Sequence, residues 1–599
     1  MKTGGMENWG LVTYNQHYVI YLNQLESTVS DQDDTAELVA HEVAHQWFGN
    51  LVTMSWWDDI WLNEGFATFM SFFSLDLLHP EWQVFDKFIL HCVEGAFQMD
   101  EGYNFDTQAV ISEVSRASET FERGPVVFYE KAAALIRMMR HFIGYDNFKS
   151  GMELYLKKNM FGSVSHSDLF DCLSTETPSN LDLAGIMDTW LKQAQYPIVT
   201  LTRDENNPFR LNITQIPWFN ITKYTFDPDE SAFNYSWTIP LTFATEKQPI
   251  FDETKVDIYW MNYKENDKSF DLDDMISSNK SEWILGTVGQ LGYYRVNYER
   301  SNWEALARQL RVDHRVIPSV NRAQIIRDAW FFFDKGALDL DIALLTLDYL
   351  DNETEYLPLL KGLKRLKYLD SYVKLTELET PVKKLVREKL RNIYRHFRLL
   401  DTASHPESRT RAIVAEDACD YDVTQCLEDS VSAFELLIDS PNSRLVDPDV
   451  KHVVVCNALR QDGDNNKWQY AVEMYRNTKC LKQKKRFLAK AMSCFTSEDV
   501  HVFINENLYE QLAFGEENFK EFFWLLNESG NWKALFTNFI QENKDYILGK
   551  YESLAEAIGW IMGDELEDDP LSTDRPTNRW VEKHGKTLDK YLRDRGHMA

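Results

Sequence analysis

Two histidines four residues apart, His41 and His45, flank Glu42 in the run His41-Glu42-Val43-Ala44-His45. Residues four apart share one face of an α-helix, so a helix here brings both imidazoles to one ion. Asp33 or Asp34 is placed to cap such a helix, running from Thr35 to His45 with Glu37 in its first turns. Zinc suits imidazole nitrogen and keeps an open fourth position in catalytic sites. Glu42 projects near the same surface and is the candidate general base for a zinc-bound water, whose pKa the metal lowers to about 7. A third ligand is needed, and Glu64 stands 19 residues after His45 in Trp61-Leu62-Asn63-Glu64-Gly65-Phe66-Ala67. Its neighbours are apolar and helical in pattern, and an acid on such a face needs a partner. The competing reading, an acid at a helix start favoured by the macrodipole, gives way to the upstream motif.

The length, 599 residues, exceeds what one hydrophobic core supports and predicts three or more domains. The formal net charge of -31 excludes nucleic acid and anionic membranes as expected partners. It either steers cationic peptides or simply keeps the chain soluble, and solubility is the plainer reading. No stretch reaches the roughly 18 apolar residues of a membrane helix. The start has no apolar core, and the end shows no lipid-anchor tail. The chain as it stands reads as soluble, with any anchor upstream if it is a fragment. Sequons occur at Asn212, Asn220, Asn234, Asn279, Asn352 and Asn527, and they mean glycosylation only in a secreted chain.

An α+β multidomain organisation in three regions follows. Residues 1–197 are helix-rich after a strand-like opening from Leu11 to Leu22, with helices expected from about Asn63 to Phe73 and from Tyr129 to Phe142. In residues 198–300, short strand-like runs separated by Asn, Asp, Gly and Pro predict a small β-sandwich. Those runs are Ile198–Thr202, Phe209–Ile216, Thr238–Phe243, Val256–Trp260 and Tyr293–Val296. Residues 301–599 are helical by pattern, as in Ile342–Leu350 and Phe487–Met492, and suggest stacked helical hairpins forming a solenoid or bowl without an exact period. The acidic run from Asp564 to Asp569 reads as a solvated loop.

The sequence resembles the aminopeptidase N family of zinc metallopeptidases, in the gluzincin clan. The resemblance rests on His41-Glu42-Val43-Ala44-His45-Gln46-Trp47-Phe48-Gly49-Asn50, an 18-residue gap, and Glu64 in Trp-Leu-Asn-Glu-Gly-Phe-Ala. Gly4-Gly5-Met6-Glu7-Asn8 resembles the family's Gly-Ala-Met-Glu-Asn exopeptidase motif, with Gly5 in place of Ala. The resemblance implies that Glu7 pairs with the substrate's free α-ammonium group, and that the backbone of Gly4, Gly5 and Met6 aligns the substrate like an added strand. A blocked amine would leave a buried Glu7 unpaired, at a cost. Tyr129, in Tyr129-Glu130-Lys131-Ala132, matches the family's oxyanion-stabilising tyrosine, with Ala132 where the family has Gly. Gln195-Tyr196-Pro197 and Gly292 to Tyr298 resemble the entry to and exit from the family's β-sandwich.

The resemblance further implies a thermolysin-like zinc catalytic domain lacking its first strands and the preceding β-rich domain, one zinc ion per chain, and disulfides Cys419–Cys426 and Cys456–Cys494. Cys92, Cys172 and Cys480 would then be free. It implies an extracellular or cell-surface glycoprotein, and it allows a homodimer through the helical domain. The expected activity is zinc-dependent removal of N-terminal residues from peptides with a free N-terminus. Three rival readings are a zinc-binding ectodomain or receptor with impaired catalysis, a thermolysin-type endopeptidase that does not need Glu7, and a helical scaffold.

Overall fold

The computed structural model describes residues 4–15, 19, 27–102, 108–122, 124–179, 181–222, 231–440, 446–461, 467–470, 473, 541 and 576–598. These residues form an α+β, mostly helical structure. The chain divides into two compact units, the first Met1–Val19 with Asp33–Arg365 and the second Ile20–Gln32 with Leu366–Ala599.

In the first unit, β1 (Gly5–Met6) pairs antiparallel with β2 (Thr13–Tyr14), Gly5 opposite Tyr14. Of the strand expected over Leu11–Leu22 only Thr13–Tyr14 pairs; residues 16–18 and 20–26 lie outside the described residues. Helix α1 (Val29–Ala44) begins upstream of the expected caps Asp33 and Asp34. Thr28 and Asp31 bond reciprocally at its start: the Thr28 backbone amide donates to Asp31 Oδ2 at 2.9 Å, and the Asp31 amide to Thr28 Oγ1 at 3.1 Å. This pairing satisfies the orphan donors earlier than either aspartate could. Asp34 pairs instead with Lys87 at 2.7 Å.

Helix α2 (Trp61–Leu78) is longer than expected because its apolar face continues through the buried Leu62, Phe66, Phe69, Phe72 and Leu75. The helical run 84–100 contains a π segment at Ile89–Glu94. A second π segment, Val127–Lys131, leads into α3 (Ala132–Ile143), whose Leu135, Met138, Met139 and Phe142 are buried as the spacing predicts. Two parallel strands, β3 (Thr53–Met54) and β4 (Ser163–Val164), pair beside these helices.

Strands resume at β5 (Pro197–Arg203) and β6 (Arg210–Pro217), then β7 (Ile239–Leu241), β8 (Phe243–Thr245), β9 (Tyr259–Met261), β10 (Asp267–Asp271), β11 (Ile284–Gly286) and β12 (Arg295–Tyr298). One sheet has the order β10-β6-β5-β12, with β12 parallel to β5 and the other pairs antiparallel. The pairs β11-β8 and β7-β9 stand apart from it. Buried charges tie these strands to the helices. Lys131 Nζ meets Asp100 Oδ2 at 2.9 Å and the Gln195 carbonyl at 3.2 Å, while Tyr293 donates to the same Asp100 oxygen at 2.9 Å. Arg295 pairs with Glu101 at 2.7 Å and Asp328 at 2.9 Å.

The helix expected over Ile342–Leu350 is broken into Leu340–Leu345 and a 3-10 turn at Asp348–Asn352. Thr346 between them turns its hydroxyl onto the Ala343 carbonyl at 2.6 Å, the local competition that weakens helices at threonine. In the second unit, helices at Glu379–Tyr394, His405–Asp420, Thr424–Asp439, Lys451–Gln461 and Pro576–Asp594 are described. Ser404 and Glu407 form a capping box at the second of these. Cys419 and Cys426 form the expected disulfide across the turn between that helix and the next. Cys456 is disulfide-bonded, and its expected partner Cys494 lies outside the described residues, as do Cys480, Asn527, Phe487–Met492 and the acidic run 564–569. Cys92 and Cys172 are free and buried. Among the described residues, no helix is long and apolar enough to cross a membrane.

Candidate metal centre and peptide cleft

On α1, His41 and His45 turn their imidazoles to one side, with ring centroids 4.5 Å apart and planes at 88°. The first turn of α2 carries Glu64 to meet them. The three donor atoms converge: His45 Nε2 lies 3.0 Å from His41 Nε2 and 3.1 Å from Glu64 Oε2, and His41 Nε2 lies 3.4 Å from the same oxygen. His45 Nδ1 sits 2.9 Å from the Phe48 carbonyl, a bond it makes as donor, which leaves Nε2 with a lone pair. Thr68 Oγ1 stands 3.4 Å from His41 Nδ1. Lone pairs and a carboxylate oxygen facing one another require a cation between them. A tetrahedral zinc ion with bonds of about 2.0–2.1 Å spaces its ligand atoms about 3.3 Å apart, so these residues fit zinc.

The titration behaviour describes the same demand. Burial opposes ionisation of Glu64, but His41 and His45 outweigh it and hold its carboxyl down at about 2. Burial likewise disfavours a charged His45, and the Glu64 carboxylate overrides it, raising the imidazole to about 9. In the metal-free protein a proton on His45 thus takes the place of the cation. Glu42 is pushed up to about 7, first by burial and then by Glu7 and Glu64, against the opposing charge of His45.

The remaining expected residues lie around this cluster. Glu7, Glu42 and His45 bring ligand atoms within 4.8 Å of one another. The Glu42 Oε2 atom is buried with no hydrogen-bond partner. At Gly5 a β carbon would collide with the Glu42 carboxylate, so the glycine leaves that carboxylate its place. Tyr129 stacks on His41 at 5.8 Å between ring centroids and 28° between planes. Its phenol is held protonated well beyond the usual range, by burial first and then by Glu64, Glu7 and Glu42. Tyr129 sits on a π turn, a feature that recurs at functional sites. A β carbon at Gly65 would lie 2.6 Å from Ala132 Cβ, so this glycine lets α2 approach the start of α3 despite the alanine there. Gly4, Gly5 and Met6 line the same 750 Å³ cavity as the zinc-type ligands, Glu42 and Tyr129.

Sequence reading assigned no role to the residues that hold this arrangement in place. Asn50 donates through Nδ2 to the Glu7 carbonyl at 2.6 Å, tying β1 to the loop after α1. Gly49, at φ 122°, allows that loop to turn. Gly49 and Asn50 end the run that carries the family resemblance, and that was the available signal.

The chain matches the peptidase family M1 domain over residues 1–190 and an ERAP1-like C-terminal domain over residues 283–565. It is 31% identical over 508 residues to aminopeptidase N of Canis lupus familiaris, covering 83% of this chain and 50% of that protein. It is 28% identical over 638 residues to aminopeptidase N of Homo sapiens, covering 98% of this chain and 63% of that protein. The chain belongs to peptidase family M1, its family domain followed by a helical ERAP1-like C-terminal domain. Within that family its relatives also include glutamyl aminopeptidase of Rattus norvegicus, at 30% identity over 565 residues, 94% of this chain and 57% of that protein. The chain spans about half to just under two thirds of the length of these relatives.

Proposed function

We propose that the chain is a zinc-dependent aminopeptidase that releases N-terminal residues from peptides. The observation that carries this reading is the convergence of His41 Nε2, His45 Nε2 and Glu64 Oε2 within 3.4 Å of one another, with Glu7 and Glu42 alongside. His41, His45 and Glu64 would hold a zinc ion, which when bound acidifies water and polarises a carbonyl. Glu42 takes the proton from the attacking water and passes it to the leaving amine. Glu7 pairs with the substrate α-ammonium group, and the backbone of Gly4 to Met6 lies beside the substrate as a short strand. The Tyr129 hydroxyl, kept protonated, donates to the oxyanion of the tetrahedral intermediate.

The architecture that goes with this reading is a thermolysin-like catalytic domain over residues 1–197, a β-sandwich over 198–300 and a helical-repeat domain over 301–599. The strands between Pro197 and Tyr298 and the helices from Arg300 onward support these limits. The Cys419–Cys426 disulfide supports an oxidising, extracellular or cell-surface setting, and the helical domain is the surface for a homodimer. Metal analysis after dialysis tests the reading. One zinc per chain, and turnover lost on chelation and restored by zinc, are expected; turnover that survives complete zinc removal contradicts it.

A further inference from the structure

The face of α1 that carries the histidines continues beyond them. Asp34, Glu37 and Leu38 precede His41 at helical spacing and line the same 750 Å³ cavity. The cleft therefore has a direction along α1. Glu7 marks one end, beside Glu42 and His45. Glu37 and Glu130 mark the other, lining the cavity with Cys92 of the first π segment, whose buried thiol feels both carboxylates as well as Arg137 and Lys87. With the substrate amine at Glu7 and its carbonyl between Tyr129 and the zinc-type ligands, this second end receives the residue after the scissile bond.

The carboxylates at that end differ in their partners. Asp34 and Glu37 both pair with Lys87, each at 2.7 Å. Among the described residues no ion pair reaches Glu130, and its carboxyl is pushed up to about 7 by burial first and then by Glu37. The structure makes room for this carboxylate, since a β carbon at Gly95 would collide with it. None of the described cavity-lining residues is a lysine or arginine. The cavity also holds the Glu42 Oε2 and Asn63 Oδ1 atoms buried without hydrogen-bond partners, acceptors that a donor-bearing ligand would satisfy.

We propose that Glu130 is a specificity-determining residue that receives the cationic side chain of a lysine or arginine following the scissile bond. This rests on the aminopeptidase reading for the direction of the substrate. A substrate cation would restore the missing charge in a partly desolvated place, where a charge-assisted hydrogen bond is stronger than a neutral one. An unbranched neutral side chain of similar length would fill the space without that gain.

The test compares Leu-Lys-Ala with Leu-norleucine-Ala on the zinc-loaded full chain and on Glu130→Gln. In parallel, calorimetry on the metal-free proteins measures binding of the two peptides with the first amide reduced to a non-cleavable amine. The wild type is expected to favour lysine by about ten-fold in kcat/KM and in affinity. Glu130→Gln should lose both preferences while still cleaving the norleucine peptide. A wild type without the preference, or a variant that keeps it, overturns the proposal. Failure of the aminopeptidase reading looks different: neither peptide is cleaved by either protein, while the binding preference and its loss in Glu130→Gln persist. Absence of turnover together with absence of any binding preference overturns both.

Discussion

Each side chain of the cleft carries a separable expectation. Glu42→Gln keeps every proposed ligand atom and removes the proposed base, so turnover should fall by about 10²–10⁴ with zinc content unchanged. Retained turnover in a zinc-replete variant would remove Glu42 from the mechanism. Tyr129→Phe deletes the proposed oxyanion donor, and kcat should fall by about 10²–10³ with little change in KM; a change confined to KM would assign the phenol to substrate binding instead. His41, Glu42 and His45 were legible in the sequence because helical spacing places such side chains together, and Glu64, on another helix, because an acid among apolar helical neighbours needs a partner and its run carries the family resemblance. The supporting contacts were not, since the Asn50 to Glu7 carbonyl bond and the Phe48 carbonyl at His45 Nδ1 depend on loop geometry that no periodicity encodes. The reason for Gly5 in place of alanine was not legible either, since it is the contact its missing β carbon would make with Glu42.

At the scale of elements, burial of charge decides two further outcomes. Lys131 and Asp100 are both essentially fully buried, so Lys131→Met strands a carboxylate and should destabilise the first unit by about 3–5 kcal/mol. Denaturant unfolding of the variant and of a Lys131→Met/Asp100→Asn double variant checks this. The double variant should recover part of the loss, and no recovery would mean that the pair acts through packing alone. In the second unit, Asp417 is raised from 3.8 to about 6 by burial, with Lys367 at 2.7 Å opposing. A carboxyl raised on folding adds stability that is complete below its unfolded value and is lost as pH rises through the folded one. The second unit should therefore lose about 2 kcal/mol between pH 4 and 6.5 through this residue, and Asp417→Asn should flatten that slope. An unchanged slope in the variant would mean that other groups set it. Helices α1 to α3 and strands β5, β6, β7, β9 and β12 were legible because their apolar patterns are strong, whereas β10 and β11 fall in no expected run. The start of α1 and the break near Thr346 were not, because a Thr28–Asp31 box and a single hydroxyl decide them locally. The π segments at Ile89–Glu94 and Val127–Lys131 leave no periodic trace.

For the molecule as a whole, metal binding and stability are linked. Zinc that binds only the folded cluster should stabilise it by about 4 kcal/mol at a free concentration 1,000 times Kd. The shift should vanish in His41→Ala, and a shift that persists there would place the bound ion elsewhere. The central claim is that this M1 chain acts on free N-termini, and the most direct measurement is turnover of paired fluorogenic amino-acid amides by the zinc-loaded protein. One member of each pair has a free amine and the other is N-acetylated. Cleavage confined to the free-amine members is predicted, with that discrimination weakened in Glu7→Ala. Equal cleavage of both members would contradict the role given to Glu7 and favour an endopeptidase, and stoichiometric zinc without cleavage of either would favour a binding protein over an enzyme.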